Sequence, residues 1–542
     1  MLRSQRGQIA VLAYFAIAVF TVLGGSLLTQ SFSSQQHSQR QQLQDEVFYC
    51  AEGGIEDAIA RFSQAIANND IAADAPRYPA AGTLATTLAS GAIAAWWVAE
   101  AEPAPRAFVD PDGVSGSVKN YHVTVTVTHP DFPGATFPAV HQVIARRVMS
   151  AFQHAVFYVG DLEWLPGPEM TLSGRVHSNG DIYLGAGDLL TVDSEYLRAA
   201  GDLYNHRKDS NGGMPGIVQI KKAGTSPAEY VAMDGFDSDD PTWAAESQTR
   251  WNGTVQTGVH GVATLSAPVV GSITPGGYYD NAAELRIENE RVTLNGVDVP
   301  LADLPPGTIR TTTSLYNARE RKSIKMTEVD LKRLAGYHDG DGDGVLDPPG
   351  SPGNPYTSKL PANGLVYATR SDAPVSEQPG IRLVNGSEIQ RAGGLTLVSN
   401  DPVYVQGNFN TVGKKPVAII GDALNLLSNN WDDGVGNAGT ATTTTYNAAF
   451  IAGINPTEAG NYSGGLENYP RFHERWSGVT CNITGSFVSL WESQIATGDW
   501  INQRYSPPIR NWTYDTSFVS GTAMPPFTPS TVETVRGAWW QD

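Results

Sequence analysis

The residues with the most evident chemistry are Asp339-Gly340-Asp341-Gly342-Asp343-Gly344-Val345-Leu346-Asp347, which spell D-x-D-x-D-G-x-x-D. Three carboxylates at alternate positions, a glycine for a sharp turn and a fourth carboxylate three residues later can wrap one hard cation. Oxygen ligands at this spacing suit Ca2+, supplied by the side chains of Asp339, Asp341, Asp343 and Asp347 and by the backbone carbonyl of Val345. Gly350 stands where a twelfth-position bidentate glutamate would be needed, and Pro348-Pro349 forbid a helix leaving the loop. A loop-type site without a helix pair is therefore expected.

Other groups offer less. His177, Asp181, His473 and Glu474 are candidate acid/base or metal groups, but no H-E-x-x-H, G-x-S-x-G or phosphate-loop pattern surrounds them. His177 reads as an ordinary strand residue. Seven of the 12 tryptophans follow residue 430. Among them, Trp476, Trp491, Trp512, Trp539 and Trp540 would stack on glycan or on a partner protein if exposed, and would cap a core if buried.

These groups must be held by a chain with an unusual beginning. Residues 9–28, IAVLAYFAIAVFTVLGGSLL, carry no charge and follow Arg3, Arg6 and Gly7. At about 1.5 Å per residue such a helix crosses roughly 30 Å of hydrocarbon. Two arginines precede it. Residues 29–61 carry Asp45, Glu46, Glu52, Glu56 and Asp57 against Arg40 and Arg61, so the amino terminus is expected in the cytoplasm and the bulk outside it. A cleaved signal is the alternative, but its apolar core runs only about 7 to 15 residues.

Residues 30–67 contain no proline, and Leu43, Val47, Ala51, Ile55, Ala58, Ile59, Phe62 and Ile66 recur at steps of three and four. The span is thus expected to continue as one rod, with Gly53-Gly54 as its weak point. The basic leader ending Arg6-Gly7, the apolar helix and Tyr49-Cys50-Ala51-Glu52-Gly53-Gly54-Ile55-Glu56-Asp57-Ala58 together resemble the amino-terminal region of type IV pilins, in particular the PilX-type, minor-pilin-like assembly proteins. The resemblance covers about the first 70 residues. It implies cutting by a prepilin peptidase between Gly7 and Gln8, other pilin-like subunits or assembly proteins as partners, and a bacterial inner-membrane location reaching the periplasm or cell surface. Major pilins carry glutamate at the fifth mature position. Here that position is Leu12, which fits a priming, tip or purely anchored role. The acidic loop in turn resembles the calcium loops of integrin α-subunits and the first nine positions of an EF-hand.

Composition bounds the remainder. The 542 residues allow several domains, and 41% hydrophobic with 17% charged residues fits folded material. A net charge of -19 argues against nucleic acid as a partner. With 56 glycines and 34 prolines, turns are frequent and β structure is expected. The two cysteines, Cys50 and Cys481, are expected to stay unpaired.

The expected organisation is a leader (1–7), a transmembrane and stalk helix (8–67), a pilin-like antiparallel sheet module (68–150), a β-rich domain (151–460) and a Trp/Pro-rich cap (461–542). In the sheet module a short helix is expected at 92–100 and strands at 122–128 and 140–149. Beyond residue 153, short apolar pulses separated by Gly, Asn and Asp, at 175–184, 395–408, 416–426 and 482–488, predict a parallel β-solenoid, with a β-sandwich as the alternative. Asn295-Gly296 between two alternating segments predicts a hairpin.

Three functional classes follow. The first is a membrane-anchored, pilin-like structural component of a type IV pilus or pseudopilus that displays a calcium-stabilised β domain. The second is an adhesin or glycan-binding module. The third is a polysaccharide-active enzyme on a β-helix, for which no catalytic signature is visible.

Overall fold

The computed structural model describes residues 4–68, 81–85, 91–502, 505–521 and 523–542. Residues 1–3 of the leader, with Arg3, and most of the turns expected after the helix lie outside the described residues. The chain is mainly β with one long apolar helix at its amino end. That helix, Ser4–Ala67, runs for 64 residues, about 96 Å at 1.5 Å per residue.

Its two halves meet different surroundings. Ile9, Leu12, Phe15, Phe20, Leu27 and Phe32 are bare, whereas Val47, Ala51, Ile55, Ala58, Ile59, Phe62 and Ile66 are buried against a sheet. Tyr121, Val123, Val125 and Val127 of strand Ser115–Thr128 face them. The periodic stripe seen in the sequence is the packed face.

The expected helix at 92–100 is instead the strand Ile93–Glu100, antiparallel to Ser115–Thr128. Ala92, Ala94, Trp96 and Val98 are buried at every second position, a strand period that burial against the long helix enforces over the helical propensity of alanine. Trp96 Nε1 donates to Asp57 Oδ2 at 2.8 Å, tying this strand to the helix.

Gly54 also departs from expectation. The helix runs through it unbroken, and a Cβ there would lie 2.8 Å from both Ala94 Cβ and Val125 Cγ1. It marks a close approach of helix to sheet rather than a weak point. Nearby, buried Arg146 donates to the Ile59 carbonyl at 3.1 Å with its guanidinium over the Phe62 ring, and burial lowers its pKa to about 9.

The sheet is completed from the far end of the chain. Strand Val140–Ser150 pairs antiparallel with Ser115–Thr128 on one side and with Ser530–Gln541 on the other. The last segment is therefore no simple cap. Thr480–Ser489 lies inside the head, and Ser530–Gln541 returns to cover the helix because its Val532 completes that core.

The head is built from short strands in parallel register. Among the described residues one large sheet orders Val255–Gln256, Leu197–Ala199, Val176–Ser178, Val156–Tyr158, Thr480–Ser489, Thr444–Ala452, Val417–Gly421, Leu395–Val398, Leu365–Thr369 and Leu285–Glu288. Every neighbouring pair in that series is parallel. A second sheet takes the alternate strands Lys322–Asp330, Glu377–Val384, Val403–Gln406, Leu424–Leu427 and Pro470–Phe472, also parallel. Between residues 156 and 221 the chain visits three sheets in turn, adding Leu162–Trp164, Ile182–Leu184 and Leu203–Tyr204 in one and Met170–Ser173, Leu189–Asp193 and Ile217–Lys221 in another. The expected hairpin is present: Arg291–Leu294 pairs with Val297–Val299 across Asn295 and Gly296, both at positive φ.

The order of the large sheet is not the order of the chain. The chain enters in the middle at Val156, works outward to Gln256, crosses to the far end of the parallel series at Leu285, where the hairpin Arg291–Val299 forms the edge, and returns strand by strand until Thr480–Ser489 lies beside Val156–Tyr158. The crossing segment passes the stalk, where Ala267 O accepts from Gln64 Nε2 at 2.7 Å and Ser266 bridges to Val532. Entry and exit are adjacent, since the Ala151 N–H donates to the Pro529 carbonyl at 3.0 Å. Cys50 and Cys481 sit in separate hydrophobic cores.

Candidate functional site

The acidic loop lies in an insertion between strands Lys322–Asp330 and Leu365–Thr369, after the one-turn helix Leu331–Leu334 that Asp330 caps through the Arg333 N–H at 3.0 Å. His338 and Asp347 close its base by exchanging backbone hydrogen bonds of 3.0 and 2.9 Å. Asn354 braces it, donating to the Gly336 and Asp347 carbonyls at 3.0 Å each.

Within the loop the carboxylates curl the backbone around themselves. Asp339 accepts from the N–H groups of Gly342 (2.7 Å) and Gly344 (3.1 Å), Asp341 from Asp343 (3.2 Å), and Asp343 from Val345 (2.7 Å). One oxygen from each of Asp339, Asp341 and Asp343 lies within 4.8 Å of the others. Oxygens bound to one Ca2+ at about 2.3–2.6 Å are separated by at most about 5 Å, so this donor set fits the ion. Asp347 stands outside that group, its Oδ2 accepting from the Gly340 N–H at 3.4 Å, and the Val345 side chain is 60% exposed. The structure gathers the carboxylates of three of the four expected aspartates.

The remaining candidates scatter. Trp476 and Trp512 are buried, packed on Phe472 and Phe487 respectively. Trp539 (43% exposed) and Trp540 (38%) lie on the strand that covers the stalk: Trp539 meets Phe48 edge-on, and Trp540 stacks on His122 and His141. Trp491 lines a cavity of about 300 Å³. His473 bonds Asn425 at 2.9 Å and burial lowers its pKa to about 3, while Glu474 accepts from the Ser428 N–H and hydroxyl. His177 faces Asn179 at 3.2 Å.

Asp181 belongs to a ladder that the sequence reading missed. Its N–H donates to Asp161 Oδ1, and its own Oδ1 accepts from Asp202 N–H, each at 2.8 Å and 20 and 21 residues apart. The recurring dipeptides Gly160-Asp161, Gly180-Asp181 and Gly201-Asp202 were the available signal. Also missed were Trp500, Tyr462 and Tyr505, which line a cleft of about 630 Å³.

At the other end of the molecule, Gly7 and Gln8 lie in the opening turns of the long helix, Gln8 exposed and Gly7 with open space around it. The helix is long and apolar enough to cross a membrane, and none of its most apolar window is buried. It fits a single-pass anchor.

No family model matches the chain, and no curated protein matches it. Among solved structures, the competence-associated pilin ComZ from Thermus thermophilus is similar at 12% identity over 92% of this chain and 97% of that chain, with a TM-score of 0.25. A score that low determines neither fold nor function.

Proposed function

We propose that this protein is a membrane-anchored, pilin-like component of a type IV pilus or pseudopilus, a minor subunit or assembly protein of the PilX type. The observation that carries the reading is the 64-residue helix, bare and apolar in its first half and packed into an antiparallel sheet in its second. A bare apolar helix half is stable in lipid or against like helices, and a packed half projects a folded head away from them. In this reading the amino terminus is cytoplasmic, and a prepilin peptidase removes residues 1–7 so that Gln8 becomes the first residue. The large domain is wound as a parallel β-solenoid, outside the cytoplasmic membrane, and takes one Ca2+ at Asp339, Asp341 and Asp343, with Asp347 and the Val345 carbonyl closing in.

Amino-terminal sequencing after co-expression with a prepilin peptidase tests this. Gln8 at the new terminus, and its absence in Gly7→Val, is the expected result. A soluble product trimmed near residue 26 would replace the reading with that of a secreted factor.

A further inference from the structure

The chain carries a net charge of -19, yet one groove on its head presents arginines without acidic partners. The first half of the groove is the cleft of about 630 Å³ whose walls include Tyr462, Trp500, Tyr505 and Arg510. The second half, about 830 Å³, is lined by Arg475, Ser477, Ser506 and again Tyr505, so the two meet at that ring. The cavity of about 300 Å³ that holds Glu163 and Trp491 shares no lining residue with either half and is no part of the groove.

Backbone pairing fixes the floor. Thr440 bridges to Arg475 and Arg475 to Ser506 in parallel register, and the Trp476 N–H donates to the Ser506 carbonyl at 3.2 Å. Arg510 follows Ser506 by four residues, so it lies no more than about 14 Å further along. The rings are held edge to face: Trp500 stands at 79° to Tyr462 and 76° to Tyr505, with centroids 5.9 and 6.0 Å apart. Arg319, which does not line the cleft, packs against the Trp500 ring at 5.7 Å, and Tyr505 stacks on buried Phe472 at 5.8 Å.

Charge selects the ligand. Arg207 is gripped by both oxygens of Asp209 at 2.8 and 2.9 Å. Glu467 is 2% exposed, and its carboxylate accepts from the Tyr462 hydroxyl at 2.7 Å, Asn468 Nδ2 at 2.9 Å and the Leu165 N–H at 3.0 Å. Arg510 donates through Nε to the Glu467 carbonyl at 3.0 Å, a neutral acceptor. Among the described residues no carboxylate lies within 4.0 Å of Arg510 or of Arg475. A guanidinium stays charged and its fork of donors matches a carboxylate, so the groove keeps two cations open to an anion.

Aromatic rings accept the apolar C–H face of a pyranose, and the exposed amide of Asn461 and hydroxyl of Ser477 suit its hydroxyl groups. A nucleic acid carries a phosphate at every nucleotide and calls for a longer track of cations than this acidic surface supplies. We infer that the groove binds a short acidic oligosaccharide of the uronate class, its sugar faces on Trp500 and Tyr505 and its carboxylates on Arg475 and Arg510. The site depends neither on the proposed anchor nor on the acidic loop.

The test uses the full chain in a zwitterionic detergent that carries no sugar, with EDTA present so that the acidic loop holds no cation. Hexagalacturonate and hexamannuronate are the acidic probes, with maltohexaose, hexathymidylate and hexaglutamate as comparison arms, read by saturation-transfer NMR and calorimetry. At least one uronate hexamer is expected to bind more tightly than every comparison arm. Arg475→Gln, Arg510→Gln and Trp500→Ala should each weaken it about tenfold or more, while Arg291→Gln on the exposed hairpin leaves it unchanged. No uronate binding, equal or tighter binding of a comparison arm, uronate binding that any of the three groove variants leaves intact, or an equal loss in Arg291→Gln overturns the inference.

Discussion

Asp401 is buried in the head, where its Oδ2 accepts from the Arg370 N–H at 2.6 Å and the Thr369 hydroxyl at 3.2 Å, and burial pushes its pKa up to about 7. An unfolded aspartate releases its proton near 3.9. The folded state therefore holds this proton more tightly, and the stability it contributes is full below about 4 and lost as pH rises to about 7. His473 acts in the opposite direction. Its folded pKa of about 3 lies below the ordinary 6.5, so stability is lost as pH falls below 6.5. Asp401→Asn is expected to flatten the decline in melting temperature between pH 4 and 7, and His473→Gln the decline below 6.5. Variant and wild-type profiles that stay parallel would remove this account.

The proposed calcium site belongs to the same scale. Calorimetry on the intact protein should give a dissociation constant in the range of extracellular modules, about 10⁻⁴–10⁻³ M, and Asp341→Ala should raise it at least tenfold. Heats unaltered by that change would dismiss the ion. This loop was legible in the sequence because its partners are neighbours, Asp339 reaching only to Gly342 and Gly344. Glu163 and Trp491 were not, because their shared cavity forms only when segments more than 300 residues apart are brought together.

At the scale of elements, helix and sheet depend on a contact that one methyl group would fill. Gly54→Ala gains about 1 kcal/mol of helix propensity but forces a Cβ to within 2.8 Å of two sheet side chains, Ala94 and Val125. Overpacking of that kind costs about 1–3 kcal/mol. A net loss of up to about 2 kcal/mol is expected, read as a lower denaturant midpoint, and a more stable variant would contradict the packing described. The helix was legible from its three-and-four spacing, and the strand at 122–128 from its alternating valines. The strand Ile93–Glu100 was misread because alanine-rich composition speaks for a helix, while alternation is decided by the surface packed against it.

For the molecule as a whole, the pulses of apolar residues located the head strands at 176–184, 395–406 and 417–427, but not their order. Parallel neighbours in the head lie 20 residues apart at Leu162 and Ile182, 54 at Ser323 and Glu377 and 81 at Leu285 and Val366, so no fixed period advertises the pairing. That the chain starts in the middle of its own sheet is a property of closure, not of local pattern. The returning strand should matter accordingly. Ending the chain after Pro529 removes Val532 from the stalk core and the Glu533 partner of Arg147 at 3.0 Å, and uncovers strand Val140–Ser150. Amide exchange along that strand is expected to rise about a hundredfold or more, and unaltered protection would show the strand to be dispensable.

The adjacency of Ala151 and Pro529 has a mechanical consequence. A domain hung on one peptide can swivel about it. This one is yoked by two neighbouring strands and steadied where Ser266 touches Val532, so its azimuth follows that of the rod beneath. Copies whose rods were aligned side by side would all turn the same flank outward.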